Sequence, residues 1–155
     1  MRFIVDDMLG RLAKWLRILG YDTCYCRRIS DAELLRRAAA EHRIILTRDT
    51  RLIERIFSGN YLLIKSEDLR GQLRQVLGEL NLDTRRYLFS RCLVCNHPIL
   101  PVEPEEVRGR VPSYVFQTQT EFSTCPGCER IYWKGTHYER ILETLKQIEG
   151  DQDEV

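Results

Sequence analysis

The sequence contains no apolar run that approaches the length of a membrane-spanning helix. Its first ten residues, MRFIVDDMLG, carry two carboxylates where a secretory signal peptide needs an apolar segment. Internal repeats and low-complexity segments are also missing. These absences argue against a membrane protein, an exported protein and a repeat architecture, and we expect a cytoplasmic globular protein. In that compartment the six cysteines are expected to be reduced or metal-bound rather than paired in disulfides.

The small net charge of the chain hides an uneven distribution. Of the 155 residues, 43% are hydrophobic and 30% are charged, which is typical of one or two small globular domains. Residues 1–90 hold 17 Lys and Arg against 12 Asp and Glu, whereas residues 91–155 hold 7 against 11. The basic first part favours a polyanionic partner such as nucleic acid, although a charged surface is more often simply solvated.

Short apolar runs alternate with segments whose apolar residues recur at helical spacing. The predicted strands are residues 2–5, 21–26, 43–47 and 61–65, and the predicted helices are residues 9–19, 31–42, 50–57 and 68–80. Alternation of this kind predicts an α/β domain with a parallel sheet and helices on both faces. We expect this domain at residues 1–80, a linker over 81–90, a cysteine-rich ribbon over 91–135, and a terminal helix over 136–150 that packs on the rest.

Four cysteines are arranged as two C-x2-C pairs, Cys92 with Cys95 and Cys125 with Cys128, separated by 29 residues. Each pair points two thiolates at one centre, so the two pairs predict a closed four-thiolate site for structural Zn²⁺. An iron–sulfur cluster is the alternative, because four cysteines also hold such clusters.

The remaining cysteines and the aromatic residues beside the second pair have less specific interpretations. Cys24 and Cys26 lie on one side of a predicted strand and are expected to be ordinary partly buried thiols. Tyr132 and Trp133 suit either packing of the ribbon or stacking on nucleic-acid bases, and the sequence does not choose between these roles.

Three aspartates fall where predicted strands give way to helices. Asp6 follows the first strand, Asp31 opens the helix after the second, and Asp49 follows the third. The carboxyl ends of parallel strands share one edge of the sheet, so these three side chains are expected to converge. An oxygen-only cluster suits Mg²⁺ or Mn²⁺, whose charge would offset the repulsion between carboxylates. Capping of the following helices is the alternative at each position.

Basic residues accompany these acids. Arg11, Lys14 and Arg17 are spaced three apart and predict one basic stripe on the first helix, suited to backbone phosphates. Arg48 precedes Asp49 and could stabilise charge that develops during a reaction, although an exposed ion pair is the commoner role of such an arginine.

Five segments occur in one order: FIVDDMLGRLAKWLRILGYDT, SDAELL, IILTRDTRL, RCLVCNHPIL and CPGCERIYWKGTHY. Together they resemble the PIN-like ribonuclease domain found at the carboxyl terminus of the Mut-seven exonucleases and as stand-alone prokaryotic proteins. The resemblance implies a three-layer α/β/α PIN-like fold followed by a small zinc ribbon. It implies RNA as the partner and metal-dependent cleavage by Asp6, Asp31 and Asp49. No fourth acid is evident, so the number of catalytic metal ions stays open.

Two other functions fit parts of the pattern. A receiver-like domain would use Asp49 as a phosphoacceptor, but a fifth strand with a following Lys-Pro pair is missing before the ribbon. A non-catalytic RNA-binding module would use the ribbon and the basic helix to hold RNA without cleaving it.

Overall fold

The protein is a mixed α/β molecule with six α-helices among the residues that the structure describes. The structure is a computed structural model, and it describes residues 1–56 and 59–153. The chain divides into two compact units: the first is Met1–Phe89, and the second begins at Ser90.

Four parallel strands form the sheet of the first unit, in the order β2-β1-β3-β4. The strands are β1 (Arg2–Val5), β2 (Asp22–Tyr25), β3 (Ile44–Thr47) and β4 (Tyr61–Leu63). The helices are α1 (Gly10–Ile18), α2 (Asp31–Glu41), α3 (Thr50–Glu54) and α4 (Leu69–Glu79), and a short 3-10 turn (Asp7–Leu9) precedes α1. The predicted alternation is confirmed. The predicted third helix was longer than α3, and its last residue, Phe57, lies outside the described residues.

The sheet lies between two layers of helices. One face carries a cluster in which Ile4 and Ile45 of the sheet pack against Leu34 and Ala38 of α2 and Leu52 of α3. The chain moves from β1 to β2 in one direction and then crosses back to β3, so right-handed connections put α1 and α2 on opposite faces. The contact of α4 with α1 completes the second layer.

Three of these helices have a short polar side chain that caps their first turn. Ser30 accepts a hydrogen bond from the Glu33 N–H at α2, Asp49 accepts one from the Arg51 N–H at α3, and Asp68 accepts one at α4. The Glu33 carboxylate does not return the bond to Ser30 but instead pairs with arginines of its own helix. Ser30 and Glu33 therefore form only half of a capping box.

The segment expected to be a linker belongs to the first unit. The Phe89 N–H donates to the Ile18 carbonyl oxygen at 2.8 Å, and the Tyr21 hydroxyl donates to the Asp83 carbonyl oxygen at 2.8 Å. Residues 81–89 therefore run along the end of α1 rather than spanning open space. Hydrogen bonds between distant residues of this kind leave no pattern in the sequence.

The second unit contains an antiparallel sheet of three short strands, in the order β5-β6-β7. They are β5 (Leu100–Val102), β6 (Phe122–Thr124) and β7 (Ile131–Tyr132). A 3-10 turn (Pro104–Val107) and α5 (Ser113–Thr118) lie between β5 and β6, in a region whose composition favoured strands. Val107, Val115 and Phe122 form the core of this part.

The last helix, α6 (Thr136–Asp153), is longer than the sequence predicted. It continues through residues 151–153, beyond the predicted end at residue 150. That α6 packs on the rest of the chain stays a prediction. Within the described residues, none of the helices combines the length and the apolar composition that crossing a lipid bilayer requires.

Gly20 is required where α1 turns toward β2. Its φ of +93° lies in the region that glycine tolerates, and a Cβ would overlap the backbone carbonyl of Tyr87. We expect Gly20→Ala to lower the free energy of unfolding by about 2–4 kcal/mol, from both strain and overlap. Urea denaturation followed by circular dichroism measures the change.

Gly59→Ala is the matched control. Gly59 has a φ of +108°, and within the described part of the chain no atom beyond its chain neighbours lies within 4 Å of where a Cβ would be. This variant should show only the conformational cost of about 1–2 kcal/mol. Equal losses for the two variants would contradict the packing of residues 81–89 against the end of α1.

Candidate functional site

The three aspartates singled out in the sequence follow the carboxyl ends of three neighbouring strands. Asp6 comes directly after β1, and its N–H donates to the Leu46 carbonyl oxygen at 3.0 Å. Asp49 lies between β3 and α3, and Asp31 is the first residue of α2. Capping explains only Asp49, because Ser30 caps α2 and the Asp6 side chain makes no capping hydrogen bond.

The Thr47 hydroxyl joins two of these acids. Thr47 is fully buried at the end of β3 and donates to Asp6 Oδ2 at 2.7 Å. The same hydroxyl oxygen accepts a hydrogen bond from the Asp49 N–H at 2.9 Å. Asp49 Oδ1 in turn accepts from the Arg51 N–H at 2.9 Å. Among the described residues, each carboxylate keeps one oxygen without a donor, so both are oriented and both can accept a further ligand.

Asp31 is held apart from this pair. Its Oδ2 lies 3.3 Å from Nη1 of Arg55, and the two side chains are 49% and 52% exposed. Over the part of the chain that the structure describes, no group of three acids brings its ligand atoms within 4.8 Å of one another. The structure thus joins Asp6 with Asp49 and leaves Asp31 in a surface ion pair.

The basic residues selected in the sequence divide into three classes. Arg11 and Lys14 are exposed, as the stripe requires. Arg17 is only 8% exposed, and its Nε donates to the Thr23 carbonyl oxygen at 3.0 Å, so the expected exposure of this residue was wrong. The helical spacing was right, but Arg17 is buried and bonds to β2, since Thr23 lies in that strand. Arg48 is half-buried and donates to the Ile64 carbonyl oxygen at 3.4 Å.

The four cysteines of the second unit lie together, with their Sγ atoms all within 4.8 Å of one another. Cys92 and Cys125 are buried, whereas Cys128 is exposed. This is the only such group among the described residues, and it is consistent with the predicted zinc ribbon. Four thiolates at this separation could bind zinc.

The two C-x2-C turns have the same backbone hydrogen bonds. The Asn96 N–H donates to the Cys92 carbonyl oxygen at 3.0 Å, and the Glu129 N–H donates to the Cys125 carbonyl oxygen at 2.8 Å. Asn96 and Glu129 have φ values of 67° and 64°, in the left-handed region. The residue after each pair therefore reverses the chain, so that backbone N–H groups point at the first sulfur of the pair.

Tyr132 supports the first of these turns. Its hydroxyl donates to Cys92 Sγ at 3.1 Å and accepts from the Leu93 N–H at 3.1 Å. Burial raises the pKa of the Cys92 thiol, but hydrogen bonds from Tyr132 and from backbone N–H groups outweigh it and bring this pKa to about 6. A hydrogen bond with Cys128, together with burial, raises the pKa of Cys95 to about 12. A bound cation would therefore be needed to hold all four sulfurs as thiolates.

The contacts of the aromatic pair, Tyr132 and Trp133, favour a packing role. Trp133 packs against the core formed by Val107, Val115 and Phe122, and Tyr132 binds the cysteine turn. Packing within the second unit accounts for both rings. Base stacking is not needed to explain them.

Cys24 and Cys26 have the structural role that the sequence favoured. Both are half-buried, and their sulfurs lie 3.8 Å and 3.3 Å from Nη1 of Arg37. Burial raises the pKa of the Cys24 thiol. They are not part of any three-ligand group among the described residues.

Sequence reasoning missed Thr47 altogether and missed the role of Tyr132 as a partner of Cys92. Thr47 is the last residue of a buried strand, two positions before Asp49, and this spacing is the one feature that could have identified it. Nothing in the sequence marks Tyr132 as a partner of Cys92, because the two are 40 residues apart.

One family model matches the chain. It is the model of the Mut7-C RNAse domain, and it covers residues 1–145 of the 155. The match therefore spans both the strand-end acids and the four cysteines. No curated protein and no solved structure matches the chain.

The bridge through Thr47 can be tested by Thr47→Val, which keeps the shape and removes the hydroxyl. Asp6 would lose a donor and the Asp49 N–H its acceptor, so we expect a loss of about 1–3 kcal/mol in the free energy of unfolding. Urea denaturation measures this loss. Thr47→Ser, which keeps the hydroxyl, should lose clearly less; equal stability of Thr47→Val and the original protein would contradict the bridge.

The cysteine cluster predicts one zinc ion per chain in protein purified without chelator. Elemental analysis measures this ratio. Replacing Cys92 and Cys125 by serine should abolish zinc binding, because two of the four ligands are lost. The matched control replaces Cys24 and Cys26 by serine and should keep the metal. Zinc retained by the first variant, or visible absorption from an iron–sulfur cluster, would show the assignment to be wrong.

Proposed function

The chain belongs to the Mut7-C RNAse domain family, and on that premise we propose that it is a metal-dependent ribonuclease. The family membership itself indicates a nuclease-type function. The proposal adds that RNA phosphodiester bonds are hydrolysed at the carboxyl edge of the parallel sheet, with Mg²⁺ or Mn²⁺ as the catalytic cofactor. Structural Zn²⁺ in the four-cysteine ribbon would be the second cofactor.

The observation that carries this proposal is the hydrogen-bonded link between Asp6 and Asp49. The Thr47 hydroxyl donates to the Asp6 carboxylate and accepts from the backbone N–H of Asp49, so one buried side chain holds the two acids near each other, and like charges held near each other repel. Helix capping does not require Asp6, and no arginine or lysine pairs with Asp6 or Asp49 among the described residues. A positively charged ligand would make the arrangement favourable.

Asp6, Asp31 and Asp49 would hold the divalent ion. Their donor chemistry fits, because Mg²⁺ and Mn²⁺ prefer carboxylate oxygens, and Asp6 and Asp49 each keep an oxygen without a donor among the described residues. When bound, such an ion supplies neutralisation of the phosphate charge and activation of a water molecule. The chain contributes orientation, since Thr47 fixes the Asp6 carboxylate and the Arg51 N–H fixes that of Asp49.

The third acid would join the other two by leaving Arg55. An ion pair between side chains that are both about half exposed is worth only about 0–1 kcal/mol, so the exchange costs little. Released Arg55 would remain near the site as a free cation. One-ion and two-ion forms of the site are both compatible with three carboxylates.

Basic side chains near this edge would bind the RNA backbone. Arg11 and Lys14 are exposed and have no ion-pair partner among the residues described, so they fit a role in phosphate binding. Arg17 is buried and donates to Thr23 of β2, so it is less suited to that role. Arg48 lies 3.7 Å from Glu67 and would act on RNA only if this exposed carboxylate were displaced.

A non-catalytic RNA-binding module is the second candidate, and one observation on the described residues favours it: the three acids do not form a ligand group as they stand. A receiver-like domain has less support. It needs a fifth parallel strand, and the parallel sheet of the described residues has four.

The central test replaces Asp6 and Asp49 by asparagine together. We expect cleavage of RNA in Mg²⁺ or Mn²⁺ to fall by at least about 1,000-fold, because both fixed ligands are lost. A gel assay with labelled RNA, run with and without chelator, measures the rate. Unchanged stability in urea would show that the variant is folded.

The control replaces Glu54 and Glu79 by glutamine, which removes two carboxylates from helices of the same unit. It should cleave RNA at the original rate. Salt-sensitive RNA binding without metal-dependent cleavage by the unaltered protein would instead favour the non-catalytic module.

If Asp31 leaves Arg55 to bind the metal ion, the variant Arg55→Ala should bind Mn²⁺ about two- to fivefold more tightly, because the competing ion pair is gone. Mn²⁺ binding measured by electron paramagnetic resonance without RNA reports this directly. Arg55→Lys, which keeps the charge, should bind as the original protein does. Weaker binding by Arg55→Ala would argue that Asp31 is not a ligand.

A further inference from the structure

Four exposed basic residues lie where the strands of the parallel sheet end, outside the set that the sequence selected. Arg27 and Arg28 follow β2, Lys65 follows β4, and Arg51 lies in the first turn of α3. The Arg51 N–H bonds to Asp49 Oδ1, so its backbone adjoins the candidate site. All four therefore belong to the same edge as the acids.

These four side chains have no carboxylate partner among the residues that the structure describes. The arginines at the opposite edge are different: Arg2 lies 3.2 Å and Arg43 lies 2.8 Å from the carboxylate oxygens of Asp22. On α2, Glu33 likewise pairs with Arg36 and Arg37. The fold thus pairs the arginines of the amino-terminal edge with carboxylates, whereas these four cations of the carboxyl-terminal edge lack such partners among the described residues.

Acids close to Lys65 in sequence do not neutralise it. Asp68 caps α4 by accepting from the Gly71 N–H at 2.8 Å, and it also accepts from the Ser66 hydroxyl. Glu67 faces Arg48 at 3.7 Å. Lys65 is therefore exposed and available to an external anion.

The order of the strands places the positive charges on either side of the acids. Val5 is in register with both Tyr25 and Leu46, and Leu46 is in register with Leu62, so the strands end at similar levels. The outer strands β2 and β4 lead into Arg27, Arg28 and Lys65, whereas the inner strands β1 and β3 lead into the acids. With about 4.8 Å between strands, this arrangement is about 14 Å wide.

A repeating polyanion fits this surface better than a small anion does. A mononucleotide has one phosphate position and reaches one side of the acids, whereas a nucleic-acid strand carries phosphates on both sides of the bond to be cut. Contacts to phosphates carry no sequence information. Binding at this edge is therefore expected to tolerate any RNA sequence.

We propose that an RNA strand crosses the carboxyl edge of the sheet, perpendicular to the strands. Its phosphates contact Arg27 and Arg28 on one side of the acids and Arg51 and Lys65 on the other. This inference rests on the proposed ribonuclease function and names the surface that presents the substrate. An internal phosphodiester, flanked by phosphates on both sides, is then the bond that reaches Asp6 and Asp49.

The test measures binding of a short fluorescent single-stranded RNA to the full chain by anisotropy, in chelator and over a series of salt concentrations. The two edge variants are Arg27→Ala with Arg28→Ala, and Arg51→Ala with Lys65→Ala. Each should weaken binding about tenfold and make the slope of log Kd against log salt shallower by about 1.4, the value for two lost phosphate contacts.

The matched control is Arg140→Ala with Lys146→Ala, which removes two exposed positive charges from α6. It should keep the original salt slope. Edge variants that bind RNA as the control does would overturn the proposal. Adenosine monophosphate should compete only weakly, and strong competition would count against a surface that spans several phosphates.

Measuring RNA binding in chelator separates this inference from the proposed function, because metal-dependent cleavage cannot occur under that condition. Edge-dependent binding by a protein that never cleaves RNA would support the binding surface and refute the ribonuclease. Cleavage that survives in both edge variants with an unchanged KM would support the ribonuclease and refute the surface. Urea midpoints of the variants equal to that of the original protein exclude misfolding.

Discussion

The Thr47 hydroxyl lies between two acids that are 43 positions apart in the chain, and the candidate site depends on this contact. It donates to one carboxylate and accepts from the backbone N–H beside the other, so both polar groups of a buried side chain are satisfied. A fully buried hydroxyl has no water to replace these partners. The positions of Asp6 and Asp49 are therefore coupled to the end of β3, and any ligand of the two acids meets a preoriented pair.

The strand β1 pairs in parallel with both β2 and β3, and this pairing brings the residue after β1, Asp6, beside Thr47 at the end of β3. All four strands end at one edge, so the residues that follow them meet there, while the residues that precede them meet at the opposite edge. Charge follows the same division. Asp22 pairs with Arg2 and Arg43 at the amino-terminal edge, whereas four exposed cations at the carboxyl-terminal edge lack carboxylate partners among the described residues: Arg27, Arg28, Arg51 and Lys65. The sheet thus has one edge at which the arginines are paired with carboxylates and one edge whose cations, unpaired within the described residues, can attract a polyanion.

The second unit shows a different relation between pattern and structure. Two C-x2-C pairs form two turns with the same hydrogen bonds, because each needs a left-handed residue after its second cysteine and N–H groups directed at sulfur. That geometry is local, so the cysteine pattern predicted it well. The region between the turns was predicted less well: α5 forms where the composition favoured strands, since Val115 packs into a core that only the folded unit creates.

The sequence alone determined the features that depend on neighbouring residues. These are the alternation of strands and helices, the caps at Ser30 and Asp49, and the two cysteine turns, because periodicity and short-range hydrogen bonds are set within a few positions. Tertiary structure decided which side chains meet. It buried Arg17 against β2, joined Asp6 to Asp49 through Thr47, and paired Asp31 with Arg55, since each of these contacts depends on how separate helices and strands pack together.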